Sequence, residues 1–460
     1  MIRKSQALLI GTVAILLTAV IAFGSGWTLR QQVQELSIAG IVASESLPQP
    51  SERPSAPGNT QSDFAIYWDV WNLVHEEFYH TEPLDQKTMT YGAIRGMLHS
   101  LDDEYTTFQE PAAAERARES MRGTFEGIGI LMRLVDGELI VARPLKKSPA
   151  LKAGVQEQDV VVAVDGLPVA TIIAGLDDAE ALDALSRKIR GPRGSTVQLT
   201  IRRPSQTELL TVAIVRDVVP LTSVYANMLD EQVAYIQITE FREITPREFD
   251  EALRELLPQE PESLILDLRN NPGGLLVASQ EVLGRFYQGV ALYEEDSNGE
   301  VHAFDTIQGP GDVRVRRLPL VVLINEHSAS ASEIVAGALA ERYPDTTVLG
   351  MQSFGKGSVQ NVHRLRDGSS VRITIAHWFT PDKNEINEVG ITPDYVVAPS
   401  DDATFAVPCV GTMLPPEGQK LCNDAQLLWG MRLLTEQEEP PPPTATPAAL
   451  EGLPRLPPSG

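Results

Sequence analysis

The chain has 460 residues, with 38 basic and 62 acidic side chains and a formal charge of −24. At about 150 residues per domain, this length accommodates roughly three domains. The acidic balance argues against nucleic acid, whose phosphates need a basic surface, and against docking on anionic lipid through a polybasic face. Two cysteines exclude a disulfide scaffold and a Cys-rich zinc module, and no metal or cofactor is expected.

At the amino terminus, Arg3 and Lys4 precede an apolar run from Ala7 that reaches Trp27. As a helix, about 21 residues span roughly 31 Å, enough for a bilayer core, and the leading positive charge keeps the amino terminus in the cytoplasm. Residues 1–28 therefore read as a membrane anchor or a cleaved signal segment, and either exports the rest of the chain. Residues 29–62, Ser/Pro-rich from 44 onward, read as a flexible tether. Residues 63–122 read as a small helical domain: Ile66, Val70, Val74 and Phe78 recur at helical spacing, as do Ile94, Met97 and Leu98. The aromatics Tyr67, Trp68, Trp71, Phe78 and Tyr79 are expected in its core or on a packing face.

Residues 123–217 carry strand and turn signals. Strands are expected over 129–134, 139–142, 160–164, 197–202 and 209–215, with Asp136-Gly137 and Asp165-Gly166 as turns and a helix over 179–189. Gly127, Ile128, Gly129 and Ile130 form a glycine-rich loop ahead of the first strand. Its free backbone N–H groups suit a peptide carboxylate. A plain turn is the alternative. Residues 218–400 alternate buried strands (263–268, 318–324, 346–349) with helices (276–286, 332–342), which predicts an α/β core. Residues 401–436 form an extension, and the Pro-rich tail 437–460 is expected to be disordered. Cys409 and Cys422 are expected to pair in an oxidising compartment; two buried thiols are the alternative.

Three strings carry candidate chemistry. In Ser328-Ala329-Ser330-Ala331-Ser332-Glu333, Ser330 and Glu333 have capping-box spacing. The same position suits a nucleophile at a helix N-terminus, with the Ala331 N–H as an oxyanion donor. Gly350–Gly357 nearly matches a phosphate loop, but Gly357 stands where the magnesium-binding hydroxyl is required and a strand pattern follows, so no nucleotide is expected. Lys356 is instead either an exposed loop lysine or a general base with its pKa lowered by burial. In Asp267–Leu275, a strand runs into an Asn-Pro-Gly-Gly turn whose Gly273 or Gly274 N–H could meet an oxyanion.

These strings resemble the carboxyl-terminal processing peptidases, a serine-peptidase family related to tail-specific protease. The resemblance spans about residues 64–400. It rests on Gly92–Asp102, Gly127-Ile128-Gly129, the Asn-Pro-Gly-Gly turn, Ser-Ala-Ser-Ala-Ser-Glu, Phe354–Gln360 and Gly390–Asp394. It implies Ser330 as nucleophile, Lys356 as base, Gln360 as support for the lysine, and oxyanion donors at Ala331 and at Gly273 or Gly274. It also implies a crotonase-like α/β protease core with an inserted PDZ domain. Asp103-Glu104-Tyr105-Thr106 and His377-Trp378-Phe379 depart from the family's usual strings. The expected function is a cell-envelope, membrane-anchored endopeptidase acting on proteins with free carboxyl termini. A catalytically silent PDZ adaptor is the alternative.

Overall fold

The strands with unbroken apolar runs are those with both faces covered. In the computed structural model, which describes residues 60–442 except 146, 312, 316 and 414–420, six strands form one sheet. Their order is Val224–Met228, Val233–Ile238, Ser263–Asp267, Leu320–Ile324, Thr346–Gly350 and Tyr395–Val396. The first pair is antiparallel and every other pair is parallel. Ala234, Ile236, Leu264, Leu266, Leu320, Val322 and Ile324 point to one core, together with helices Thr245–Leu256, Leu276–Leu283 and Ala331–Arg342. The intervening Tyr235, Ile265, Val321 and Leu323 point to a second core under helix Ala425–Thr435. A period of two on strands buried on both sides reads as a continuous apolar run.

A second, antiparallel sheet has the order Thr107–Gln109, Ser370–Phe379, Val290–Asp296, Val301–Asp305, and Ser358–Arg364 also pairs with Ser370–Phe379. A third sheet has its own core. Its order is Ile130–Val135, Glu138–Pro144, Val160–Val164, Thr196–Arg202 and Leu210–Val215, with helix Asp178–Ile189 packed against the edge strand Ile130–Val135. The chain enters and leaves this unit through adjacent antiparallel strands, Thr124–Gly127 and Asp217–Pro220. That arrangement inserts it into the chain without disturbing the rest. Cys409 and Cys422 form a disulfide in the extension.

The structure narrows two expectations. The stretch 63–122 is not all helix, because Thr107–Gln109 pairs with Ser370–Phe379. Three residues are too few to display a period, and the strand exists because its partner supplies the ladder. Of the two places expected for the aromatics of helix Thr60–Glu77 and the residues after it, a core or a packing face, the buried cores do not include them. Tyr67, Trp68 and Trp71 touch one another, but Trp68 is 55% exposed and Tyr79 89%. The described residues fall into two units, divided between Gln86 and Lys87. The anchor (1–28), most of the tether (29–62) and most of the tail (437–460) lie outside the described residues. Among the described residues, no helix is long and apolar enough to cross a membrane.

Candidate active site

The carboxyl ends of two neighbouring parallel strands build the site. Ser263–Asp267 runs into Leu268–Gly274, and Leu320–Ile324 runs into Asn325–Ser330 ahead of the Ala331–Arg342 helix. The two turns are sewn together through Asn271, which is fully buried. Its Nδ2 donates to the Ile238 carbonyl at 2.8 Å, and its Oδ1 accepts the Gly273 N–H at 2.9 Å. Its own carbonyl accepts the Ala329 N–H and the Ser332 hydroxyl. Ser328 Oγ donates to the Leu268 carbonyl at 2.9 Å. Ser328 and Ser332 are fully buried and spent on these bonds. Ser330 is partly accessible and stands in an uncommon backbone conformation, φ 54° and ψ −115°. A non-glycine residue at such φ is held there by its surroundings.

Glu333, fully buried, brings Lys356 to this turn. Its Oε2 accepts the Ser330 N–H at 2.6 Å and the Lys356 N–H at 3.0 Å. The two backbone nitrogens are therefore no further apart than the sum of those distances. Its Oε1 accepts the Ser353 hydroxyl and the Gly355 N–H, both at 2.6 Å. Burial pushes the Glu333 carboxyl above its usual range, and these four donors oppose the rise. The Lys356 carbonyl accepts the Trp378 indole N–H at 2.9 Å. The Gly390–Asp394 string locks the same loop, since Ile391 N–H donates to Ser353 Oγ at 2.6 Å. Burial pushes the Lys356 ammonium below its ordinary pKa, and the like charge of Arg372 adds to this, against Glu333, Asp103 and Glu104. After Gly357 the chain enters strand Ser358–Arg364, whereas a phosphate loop must open a helix.

The Asn-Pro-Gly-Gly turn faces Ser330. A Cβ on Gly273 would lie 2.8 Å from Ser330 Cβ and 3.0 Å from Ala331 N. Gly274 bridges Phe241 in parallel register, with Phe241 N–H donating to the Gly273 carbonyl and Leu275 N–H to the Phe241 carbonyl. In that pattern the Gly274 N–H points away from Phe241. Ser330, Ala331, Gly273, Gly274 and Lys356 are thus drawn to one place. Gln360 is directed elsewhere: its Nε2 donates to Ser358 Oγ at 2.8 Å and Thr374 Oγ1 at 3.3 Å. In the inserted unit, Ile128 is buried and Gly129 (φ 73°) fits where a Cβ would meet Ser148 Cβ at 2.5 Å. The Ile128 and Gly129 carbonyls accept the Ala150 and Leu145 N–H groups, both at 2.9 Å.

Comparison with known proteins gives the family. Residues 232–397 match the model of peptidase family S41, and residues 127–214 match that of the PDZ domain. The chain is 35% identical over 377 residues to the carboxy-terminal processing protease CtpB of Bacillus subtilis, covering 79% of this chain and 75% of that protein. It is 35% identical over 344 residues to the carboxyl-terminal-processing protease of Picosynechococcus sp., covering 73% and 79%. The chain belongs to the carboxy-terminal processing proteases. Among solved structures, a photosystem II D1 C-terminal processing protease is similar, with 30% identity, 74% of this chain and 88% of that one covered, and a TM-score of 0.40. This processing protease is therefore a serine-type peptidase of family S41 with a PDZ domain.

Three residues of the protease site carry more than their sequence signal. Glu333 has the spacing of a capping residue, and only the fold shows its carboxylate holding a second loop. Asn271 reads as one polar residue of a turn. Trp378 reads as a strand aromatic, and nothing local tells that its indole reaches the Lys356 carbonyl.

Proposed function

We propose that this protease is a membrane-tethered endopeptidase of the cell envelope, which cuts proteins near their carboxyl termini with a Ser330–Lys356 dyad. The observation that carries the reading is the shared Glu333 Oε2, which holds the backbone of both residues in one place. Ser330 Oγ attacks the scissile carbonyl carbon, and its proton passes to neutral Lys356 Nζ. The oxyanion formed is met by the Ala331 N–H and the helix N-terminus. The second donor is the Gly274 N–H, because the Gly273 N–H is already given to Asn271 Oδ1. The tetrahedral intermediate collapses, the C–N bond breaks, and the leaving amine takes the proton from Lys356. Water then hydrolyses the Ser330 ester by the same route. Gln360 acts on the lysine loop through Ser358 rather than by bonding Lys356.

In the PDZ domain the open edge of Ile130–Val135, beside helix Asp178–Ile189, supports addition of a substrate tail as a further strand. The Gly127–Ile130 loop would receive its carboxylate. The six-stranded, mostly parallel protease sheet with three helices on one face supports a crotonase-like core. The apolar segment 7–27 supports the envelope location, as anchor or signal.

Mass spectrometry of envelope proteins in cells carrying wild type or Ser330→Ala tests the reading. Substrates should keep longer carboxyl termini in the variant. Identical termini in both would reject it. For the tail-reading half, one peptide is offered as free acid and as amide; equal cleavage of both would remove the carboxylate site and leave the dyad standing.

A further inference from the structure

We propose that Tyr105 is the positioning residue of the general base: its ring face receives the Lys356 ammonium and sets how readily that lysine exchanges its proton. The proposal rests on the reading of Lys356 as the base given above.

Lys356 Nζ lies over the Tyr105 ring, 4.7 Å from its centroid. The two residues are far apart in sequence, and each is pinned to the same strand, Ser370–Phe379. On one side, Asp103 Oδ1 accepts the Tyr105 N–H at 3.1 Å, and Asp103 Oδ2 accepts the Thr106 hydroxyl at 2.6 Å. Thr106 Oγ1 in turn accepts the Thr374 N–H at 3.0 Å, and Thr107 pairs with Arg372. On the other side, Trp378 Nε1 holds the Lys356 carbonyl and Gly357 O accepts the Trp378 N–H at 2.8 Å. Ring and ammonium are thus placed against one another by a shared support, not by a chance of two flexible side chains.

The charged groups around Lys356 come from three elements. Asp103 and Glu104 arrive on the segment that carries Tyr105, Glu333 on the Ser330 helix, and Arg372 on the Ser370–Phe379 strand. The Arg372 Nε is buried without a hydrogen-bond partner, and the charge of this arginine acts on the lysine as a like charge. The Tyr105 phenol is itself pushed up to about 12, by burial first and then by Glu104. The phenol is therefore neutral near neutral pH, and the ring acts on the ammonium through its π face.

A π face suits a base better than a carboxylate would. The lysine becomes an ammonium as Ser330 Oγ gives up its proton, so a group that favours the cation stabilises the transition state of acylation. A carboxylate in the same place would accept a hydrogen bond from the lysine and compete with Ser330 for it. The ring face offers attraction without an acceptor lone pair. It also raises the lysine pKa against the pull of burial and Arg372, so removing it moves the pKa down.

The test uses the full-length protease with Tyr105→Phe, Tyr105→Leu and Tyr105→Met, and follows kcat and KM on one peptide against pH. Phe keeps the ring and removes no charge, so its acid limb should overlay that of the wild type. Leu and Met keep the site dry but offer no π face. Their acid limb should move down by about half to one and a half pH units, and the plateau kcat should fall about two- to thirty-fold with KM little changed. Using two apolar variants keeps the test open if one does not fold. A merely structural tyrosine would lower the plateau and leave the limb in place, and that result overturns the proposal. So would a Phe variant that behaves like Leu. A second readout needs no turnover: NMR titration of Lys356 in isotopically lysine-labelled Ser330→Ala protein, with and without Tyr105→Leu. A lower midpoint in the Leu protein supports the contact. An unmoved midpoint overturns it. A midpoint that moves while the rate profile does not overturns the assignment of Lys356 as the base, and so tells the two failures apart.

Discussion

Lys356 is charged in solution at neutral pH, yet its surroundings favour the neutral form, and that tension has a measurable sign. Its folded pKa is lowered, by burial first and then by Arg372. Below that lowered value the lysine is protonated in both states, and the folded protein bears the full penalty. The penalty fades as pH rises through the folded pKa toward the ordinary lysine value. Lys356→Met should therefore be inactive and should melt higher than wild type near neutral pH, with the gap narrowing on raising the pH. A gap that widens with pH would contradict the direction of the shift. Glu333 gives the opposite expectation. Glu333→Gln turns one of its two acceptor oxygens into a donor facing N–H or O–H donors, so either the Ser330–Lys356 pair or the Ser353–Gly355 pair loses its acceptor. The cost should be about 3 kcal/mol in chemical denaturation, with activity falling even in protein that is folded. An active, equally stable Gln variant would show that the bracket is dispensable. His327, near Ser330 in sequence, is exposed and donates its backbone N–H to Asn325; it has no part in this arrangement.

At the scale of elements, the Asn-Pro-Gly-Gly turn separates two uses of glycine. Both glycines have positive φ, 101° at Gly273 and 135° at Gly274. A Cβ at Gly274 would stand 2.1 Å from the Phe241 carbonyl oxygen, inside the backbone bridge that holds the turn. A Cβ at Gly273 would instead stand against Ala329 O and Ser330 Cβ, inside the site. Gly274→Ala should therefore unfold at markedly lower denaturant, by several kcal/mol on the scale of a strained, clashing substitution. Gly273→Ala should lose more in kcat than its stability loss accounts for. Melting curves and kcat on the two variants check this; the reverse ranking would mean that the turn is oriented differently. The strand–turn–helix order around both strings follows from parallel sheet topology, which collects strand ends, and hence chemistry, on one edge.

For the whole molecule, the carboxyl extension is tied to strand Ser263–Asp267 by charge. Arg269, one residue beyond the buried Leu268, pairs with Asp267 at 2.6 Å and with Asp424 at 2.9 Å. Asp424 also caps helix Ala425–Thr435 through the Leu427 N–H. The Cys409–Cys422 disulfide closes the loop that leads into Asp424. In the chain-entropy view, a loop this short contributes about 3 kcal/mol. Reduction should lower the melting temperature of folded protein, and thiol alkylation without reductant should label neither cysteine. Labelling of both in unreduced, folded protein would reject the bond.

The sequence by itself determined the motifs and their order along the chain, because both are local properties. The apolar runs 263–268 and 318–324, the turn pairs Asp136-Gly137 and Asp165-Gly166, and six ordered motifs are read from neighbours in the chain. The family followed from the same strings. What only the tertiary structure decided are the pairings across long separations. Glu333 looks like a capping residue, since the spacing of a capping box is the same whether or not its carboxylate also holds a loop twenty residues on. Spacing makes Gln360 a support for Lys356, whereas in the fold a register shift lies between Val359 and Gln360 and the Gln360 Nε2 donates to Ser358 and Thr374. Spacing leaves Gly273 and Gly274 as alternatives, and in the fold the Gly273 N–H is given to Asn271 Oδ1. Thr107–Gln109 has no strand period to read, and it extends because Ser370–Arg372, more than two hundred residues away, offers it a ladder. Local sequence fixes propensity and spacing. Which donor meets which acceptor is settled only when burial leaves each polar group one partner within reach.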